Sequence, residues 1–404
     1  MTLIFERNSA GPQTHALVIG VGSFPYLNAE NTNLIEDLRN VDNVTSPPNN
    51  ARAIAEWLVE AADRLVPELG TIELLISETD GSPATFPRGD HTPPGRNNDS
   101  IEAATGNNVA RALREWVERS QTSPDNFALF YGSSHGMQAQ EHVLLLEDAG
   151  EDPNDPWRNM ISLNHLHRNL YRKANRRSVL FADCCRNLLE DGANALDGFT
   201  GRRIGTITET EYVRARSEHD RFVYVLRASP LGALASATRN GLGHFTESLL
   251  TCFKGGAGEN KPVYGWSISP VMLRRWVEHA GRYGLGFADT RLRPHDEDSN
   301  WDDLPILRLT EKPSYPVRVR EAEAIDVGRA TLTLSQQTTA YREQRAPSFG
   351  NPPALYAWVP PSMDNYEASG IIAGAAGEPD LVLISVDVPV LTTGHDVPLR
   401  RNTP

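Results

Sequence analysis

Two short stretches of this 404-residue chain end in side chains that can do chemistry. Residues 127–136, FALFYGSSHG, form an apolar run that closes on Ser133, His135 and Gly136. Residues 178–187, SVLFADCCRN, repeat that grammar and close on Asp183, Cys184, Cys185 and Arg186. A thiol becomes a nucleophile when a base takes its proton, and imidazole titrates near neutrality. A thiol and an imidazole delivered to one place point to nucleophilic attack on a carbonyl. A lone buried Cys is more often a small hydrophobe. Cys185 rises above that reading because two strand-end motifs agree in type and order.

The elements around them must bring both ends together. HALVIGVGSF (15–24), TIELLIS (71–77) and RFVYVLRAS (221–229) read as further buried strands, and residues 1–14 as an arm or edge strand. Pro47, Pro48 and Asn49 punctuate the start of a helix with Ala51, Ile54, Ala55, Leu58, Val59, Ala62 and Val66 on one face. Further helices are expected over 106–120 (Val109, Leu113, Trp116 and Val117 inward), 162–175, 243–253 and 269–283. DDLPILRLT, 302–310, closes the region as a last strand. Alternation of strand and helix predicts an α/β fold: a three-layer sandwich around a mostly parallel sheet. In such sheets sites form at the carboxyl ends of strands. From about 312 the helical period vanishes and short apolar runs alternate with Pro, Gly and Asn. The expected domains are therefore 1–311 and a small β-rich module, 312–404.

Strand alternation assigns roles at the second motif. Val179, Phe181, Asp183 and Cys185 share one phase; Leu180, Ala182 and Cys184 share the other. Cys185 is then the reactive thiol and Cys184 a core residue. Asp183 lies two residues before Cys185, as Ser133 lies two before His135, so both point into one cleft. A carboxylate at its base favours a cationic side chain, because a buried charge is costly unless paired. The backbone N–H groups of Gly136 and Cys185 are candidates for an oxyanion site. Gly136 would leave room for close approach of a substrate backbone.

Composition narrows the rest. A net charge of −13 disfavours non-specific binding to nucleic acid or anionic membranes. Three cysteines, two of them adjacent, make neither a disulfide framework nor a metal-ligand spacing, which fits a reducing compartment. No signal-peptide pattern and no membrane-length apolar run is present, so we expect a soluble, cytoplasmic protein. Gly20 and Gly22 lack the third glycine and the helix of a phosphate loop. Glu147, Asp148, Glu151, Asp152 and Asp155 lack EF-hand spacing and read as a solvated loop, so no cofactor is expected. His142, His165, His167 and His244 have no partner at ligand spacing and read as packing or surface residues.

YGSSHG and DCCRN resemble the two signature segments of the caspase-like cysteine peptidases, the clan of caspases, metacaspases and bacterial relatives. The interval from His135 to Cys185 is the roughly 50 residues described for caspases. Animal caspases carry Gln-Ala-Cys at the second segment, whereas Asp183-Cys184-Cys185 is similar to metacaspases. The resemblance runs over about 14–310 and includes RASP (227–230), GHFT (243–246) and LPILRL (304–309). It implies Cys185 as nucleophile, His135 as general base, and Asp183 with Ser133 as the recognition site for Arg, with Lys second.

Two departures stand out. Where metacaspases carry a Cys and an Asp before the first helix, this chain has Pro47 and Asn50, leaving one pocket acid rather than two. Arg186-Asn187 replaces the usual His-Ser-Gly. By the same resemblance, calcium is the alternative occupant of the acidic loop. Arg202 and Arg203 lie in the long stretch 188–218, where relatives are cut during maturation, which implies self-cleavage or an upstream activating protease. The expected function is an endopeptidase cleaving proteins after basic residues, controlled by processing in a stress, cell-death or defence cascade. The alternatives are a non-catalytic caspase-fold scaffold and a Cys hydrolase of small amides or esters.

Overall fold

A computed structural model of the chain describes residues 2–7, 9–27, 38, 41–94, 99–138, 141–152, 155, 158–173, 177–188, 222–230, 232, 235, 241–256, 258–285, 287, 294, 296, 301, 304–322, 329–346, 354–374, 379–390 and 395–401. Arg202 and Arg203, the expected processing site, lie outside the described residues. The chain divides into two compact units: Met1–Leu250 with Ser269–Arg274 and Thr290–Arg308, and Thr251–Ile268 with Arg275–Asp289 and Leu309–Pro404. Segments 251–268 and 275–289, which the sequence placed before the β-rich module, cluster with that module.

The first unit is built on six strands: β1 (Leu3–Glu6), β2 (Thr14–Val21), β3 (Leu69–Ser77), β4 (Phe127–Ser133), β8 (Arg177–Asp183) and β10 (Phe222–Arg227). Their order is β1-β3-β2-β4-β8-β10. All neighbours run parallel except the edge strand β1. These strands are apolar throughout because a parallel sheet is covered on both faces.

The covering layers can be read from strand phase. Leu17, Ile19, Phe130, Leu180, Ala182 and Val225 pack with helix α2 (Gly106–Ser120) and helix α3 (Leu163–Lys173) in one core. Val109, Leu113 and Trp116 of α2 enter it at the predicted spacing, and Trp116 donates its indole N–H to the His15 carbonyl at 2.8 Å. Thr105 caps that helix by accepting from Asn108 N. Helix α1 (Ser46–Glu60) takes the opposite face. A side chain at Gly20, out of phase with Ile19, would collide with the Pro47 carbonyl at 2.5 Å. The glycine is what lets that helix lie so close to β2. The result is the expected three-layer α/β sandwich.

Sequence reading missed a smaller sheet beside the site. Strands β5 (Gly136–Gln138), β6 (His142–Leu145), β7 (Met160–Ser162) and β9 (Asn187–Leu188) pair in the order β7-β6-β5-β9. Two expectations are corrected. The α1 helix ends at Glu60, so Ala62 and Val66 lie beyond it. The expected last strand, 302–310, shrinks to β13 (Leu307–Arg308) and does not join the main sheet. Pro305 removes a ladder donor there.

The second unit is β-rich and includes the antiparallel pair β11 (Glu259–Lys261) and β12 (Gly265–Ile268). Strands β14 (Tyr315–Glu321), β17 (Ala354–Val359) and β20 (His395–Leu399) form one sheet; β15 (Ala330–Gln336), β16 (Tyr341–Arg345), β18 (Tyr366–Ile372) and β19 (Leu381–Val388) form another. Strict burial alternation in β15 is the pattern of a sheet with one face solvated. Trp276 stacks on Tyr315 with ring centroids 4.8 Å apart. Asp396 is bound by Arg318 (2.9 Å) and Arg320 (3.1 Å), and Glu321 by Arg401 (2.7 Å).

Candidate active site

Strand register explains why the two motifs meet. β4 and β8 are neighbours, with Ser133 aligned to Asp183. His135 and Cys185 each lie two residues beyond that aligned pair. Their equal offset follows from parallel pairing rather than from the loops between them. Both sit past the carboxyl ends of central strands, where backbone groups are no longer used by the ladder.

His135 has one ring nitrogen engaged. Its Nε2 lies 2.8 Å from the Asp42 carbonyl oxygen, which accepts only, so Nε2 carries the proton and Nδ1 is the free base. Phe24 packs against the ring at 5.1 Å. Burial lowers the pKa of His135, with the Asp42 carbonyl pulling the other way. The imidazole is therefore neutral at neutral pH, as a proton acceptor must be.

Cys185 is partly exposed, whereas Cys184 is buried in the core with Leu180 and Ala182, as phase requires. The Cys185 sulfur meets the Ala235 N–H at 3.2 Å. Burial pushes the Cys185 thiol up, the Ala235 N–H holds it down, and the Asp183 charge raises it further. Thiol and imidazole are both held in their neutral forms.

Gly136 has a different task from the one its position in the sequence suggested. A side chain there would lie 2.4 Å from the Cys185 carbonyl oxygen and 2.9 Å from Cys184 Sγ. The space is filled by the protein's own Cys184–Cys185 segment rather than kept open. Leu145 N donates to the His135 carbonyl at 3.0 Å, which makes Gly136 and Leu144 a non-hydrogen-bonded pair and turns the Gly136 N–H away from β6.

The cleft beneath is polar and buried. Asp183 is 5% exposed. Its Oδ2 accepts from Thr246 Oγ1 at 2.6 Å and Asn50 Nδ2 at 3.1 Å. Asn50 also reaches Ser133 Oγ at 3.1 Å and accepts from Gly243 N at 2.8 Å. Tyr131 bonds Thr246 from below. These groups come from three elements on one face of the sheet: α1, the β4–β8 pair, and helix α4 (His244–Thr251). Every donor is neutral, and among the described residues no cation pairs with Asp183. Burial raises its pKa to about 6, against the hydrogen bonds from Thr246. Gly243 lies over the pair, where a side chain would touch Asp183 Oδ2 at 2.6 Å.

The structure thus brings Ser133, Asp183 and Asn50 into contact. The sequence had noted Asn50 only as a missing acid. Thr246, Gly243, Ala235 and His142 had not been connected to the site. His142 carried a signal: GMQ and HVLL, three residues apart, are spaced as a hairpin that sets it opposite Gln138. The loop acids are partly committed elsewhere. Asp148 accepts from Gly106 N at the start of α2 (2.9 Å), and Glu147 from Ser77 Oγ (2.7 Å). Among the described residues no three His, Cys, Asp or Glu side chains converge as a metal ion would need.

Sheet order, strand-end register and the Cys–His pairing of segments define a caspase-type domain. The family model of the caspase domain matches residues 13–264, more than half of the chain, and the chain belongs to that peptidase family. Among its relatives, the Sinorhizobium fredii protein y4kE, described as uncharacterized, is 28% identical over 216 residues, 51% of this chain and 59% of its own length. The chain thus spans about 59% of the length of that relative. Among solved structures, caspase-1 from Spodoptera frugiperda is 10% identical, covering 74% of this chain and 94% of its own with a TM-score of 0.40. A pro-sf-caspase-1 structure, also 10% identical, covers 74% and 91% with a TM-score of 0.35. No helix of the described residues is long and apolar enough to cross a membrane.

Proposed function

We propose that the chain is a cysteine endopeptidase of the caspase and metacaspase type that cleaves proteins after Arg and, second, Lys. The observation that carries this reading is Asp183: a buried carboxylate, two residues before Cys185, held by neutral donors alone. Such a group is unfavourable until a cation arrives, and the guanidinium of a substrate supplies one with matching geometry. Asn50 and Thr246 occupy one carboxylate oxygen and leave the other for substrate.

The chemistry follows from the proton positions. His135 Nδ1 takes the Cys185 proton as sulfur attacks the peptide carbonyl. The Gly136 and Cys185 N–H groups receive the developing oxyanion. His135 then gives the proton to the leaving amine. Water, activated by the same ring, releases the acyl group from sulfur. The Asp42 carbonyl keeps the ring oriented and lets it carry positive charge in passing. For an enzyme of this preference Arg202 and Arg203 are self-cleavage sites, and an upstream protease of like specificity is the natural activator. Placement in a stress, cell-death or defence cascade follows the family resemblance.

The test is a cleavage profile on a proteome-derived peptide library, parent against Cys185→Ala, with intact mass recorded. We expect cuts after Arg and Lys by the parent alone, with turnover at least about 10⁴-fold lower in the variant. Equal activity of Cys185→Ala, or cuts with no basic preference, would sink the proposal.

A further inference from the structure

A second imidazole approaches the nucleophile from the β5–β6 hairpin. His142 opens β6 and is fully buried. Its Nε2 lies 3.0 Å from the Cys185 carbonyl oxygen and 3.3 Å from Cys184 Sγ. A carbonyl only accepts, so Nε2 carries the proton and shares it between oxygen and sulfur. Nδ1 is left as a buried acceptor with no partner. Burial, followed by the Arg227 and Arg186 charges, holds the ring down to about 3, against the pull of the Cys185 carbonyl. The ring is therefore neutral in all working conditions. An apolar side chain would fill that space without an orphaned nitrogen, so packing alone does not account for an imidazole there.

The nucleophile segment is held from several sides. Ser229 Oγ donates to the Cys184 carbonyl at 3.2 Å, fixing the peptide plane that carries the Cys185 N–H. His142 fixes the next plane through the Cys185 carbonyl. Ala235 N–H fixes the sulfur. Arg186 is tied to Gln138 Oε1 at 3.1 Å, and Gln138 is the partner of His142 across the hairpin. The hairpin that begins at Gly136, directly after His135, is thereby anchored to Cys185.

We propose that His142 is a positioning residue of the peptidase reaction: its Nε2–H clamps the Cys185 carbonyl and, with Ser229 holding the preceding peptide plane, fixes the direction of the Cys185 sulfur. It acts through Cys185 and touches no substrate. The inference rests on the peptidase reading and is tested with one readout that does not need it.

The test uses the full chain as His142→Phe, which keeps a ring without a donor, and His142→Gln, whose amide nitrogen reaches the place of Nε2. Turnover of an Arg peptide is measured beside the pH dependence of Cys185 alkylation by iodoacetamide, read by peptide mass mapping. His142→Phe is expected to lower kcat about 10- to 100-fold with KM within about 2-fold. Its alkylation midpoint moves up, because the thiolate loses its seat at the Ala235 N–H. His142→Gln restores most of both. The inference is overturned where Phe alkylates with the parent midpoint, or where Phe and Gln behave alike. A parent that cleaves nothing defeats the peptidase reading, and the alkylation series then decides His142 alone. Where melting curves show that Phe does not fold, Gln must keep the parent midpoint while the shorter His142→Asn must not.

Discussion

Two carboxylates, buried Asp183 in the first unit and half-buried Asp396 in the second, are treated in opposite ways. Asp396 in the second unit is gripped by Arg318 and Arg320, and those hydrogen bonds and charges hold its carboxyl below the usual range despite burial. Asp183 in the first unit has only Asn50, Thr246 and their neutral dipoles, and burial raises it to about 6. One acid is compensated within the fold, which is how structural charges are kept. On the proposed reading the other is compensated by the substrate. The contrast then separates a stabilising ion pair from the proposed binding group without reference to any relative.

The sharpest way to break this contrast is to neutralise each acid in turn. Asp183→Asn is expected to lower kcat/KM for Arg peptides about 10²- to 10³-fold, since one partner of a buried charge pair is removed. Asp396→Asn is expected to leave that ratio unchanged and to cost about 1–3 kcal/mol of stability in urea titration. A loss of Arg cleavage in both, or in neither, would erase the distinction.

The pH dependence carries the same contrast with a definite sign. Asp183 binds its proton more tightly folded than unfolded, so stability falls as pH rises from about 4 to about 6, by on the order of 2–3 kcal/mol, and the loss is complete above that. A bound guanidinium favours the ionised form. KM for Arg peptides should therefore fall about tenfold between pH 5 and pH 7, and stay flat in Asp183→Asn. Asp396 behaves inversely: its contribution is present above the ordinary carboxylate range and is lost as pH drops through it. A smaller effect is expected from Asn50→Asp, which adds an acid 3.1 Å from Asp183 Oδ2. Arg peptides should bind about 3- to 10-fold tighter while the unliganded protein melts lower, because like charges share the cleft. Unchanged binding there would mean that Asn50 does not face the substrate cation.

The parallel sheet was legible because its strands are continuous apolar runs and its helices keep a 3.6 period, as in Val109, Leu113 and Trp116. The phase of residues 179–185 was enough to send Cys184 into the core. The small sheet β7-β6-β5-β9 was not legible, since strands of two to four residues leave no periodicity to read. Nor was the long-range chemistry: Thr246 and Gly243 reach Asp183 and Asn50 from a distant part of the chain, and no local pattern encodes that approach. Gly136 reads in the sequence as a position that excludes a side chain, but what fills the space is the Cys185 carbonyl, visible only once β5 lies beside the Cys184–Cys185 segment. His142 was read as packing because its partners, Cys184 and Cys185, lie across a sheet the sequence did not reveal.

The central claim is that an unpaired buried acid selects a cation for the thiol beside it. It is tested most directly by kcat/KM for two peptides that differ only in Arg against citrulline, its uncharged isostere, measured with the parent and with Asp183→Asn. The account predicts that the parent favours Arg by at least about 10²-fold and that the variant treats the two within about 3-fold of each other. A parent that cleaves both peptides equally, or a variant that keeps the full preference for Arg, would contradict it.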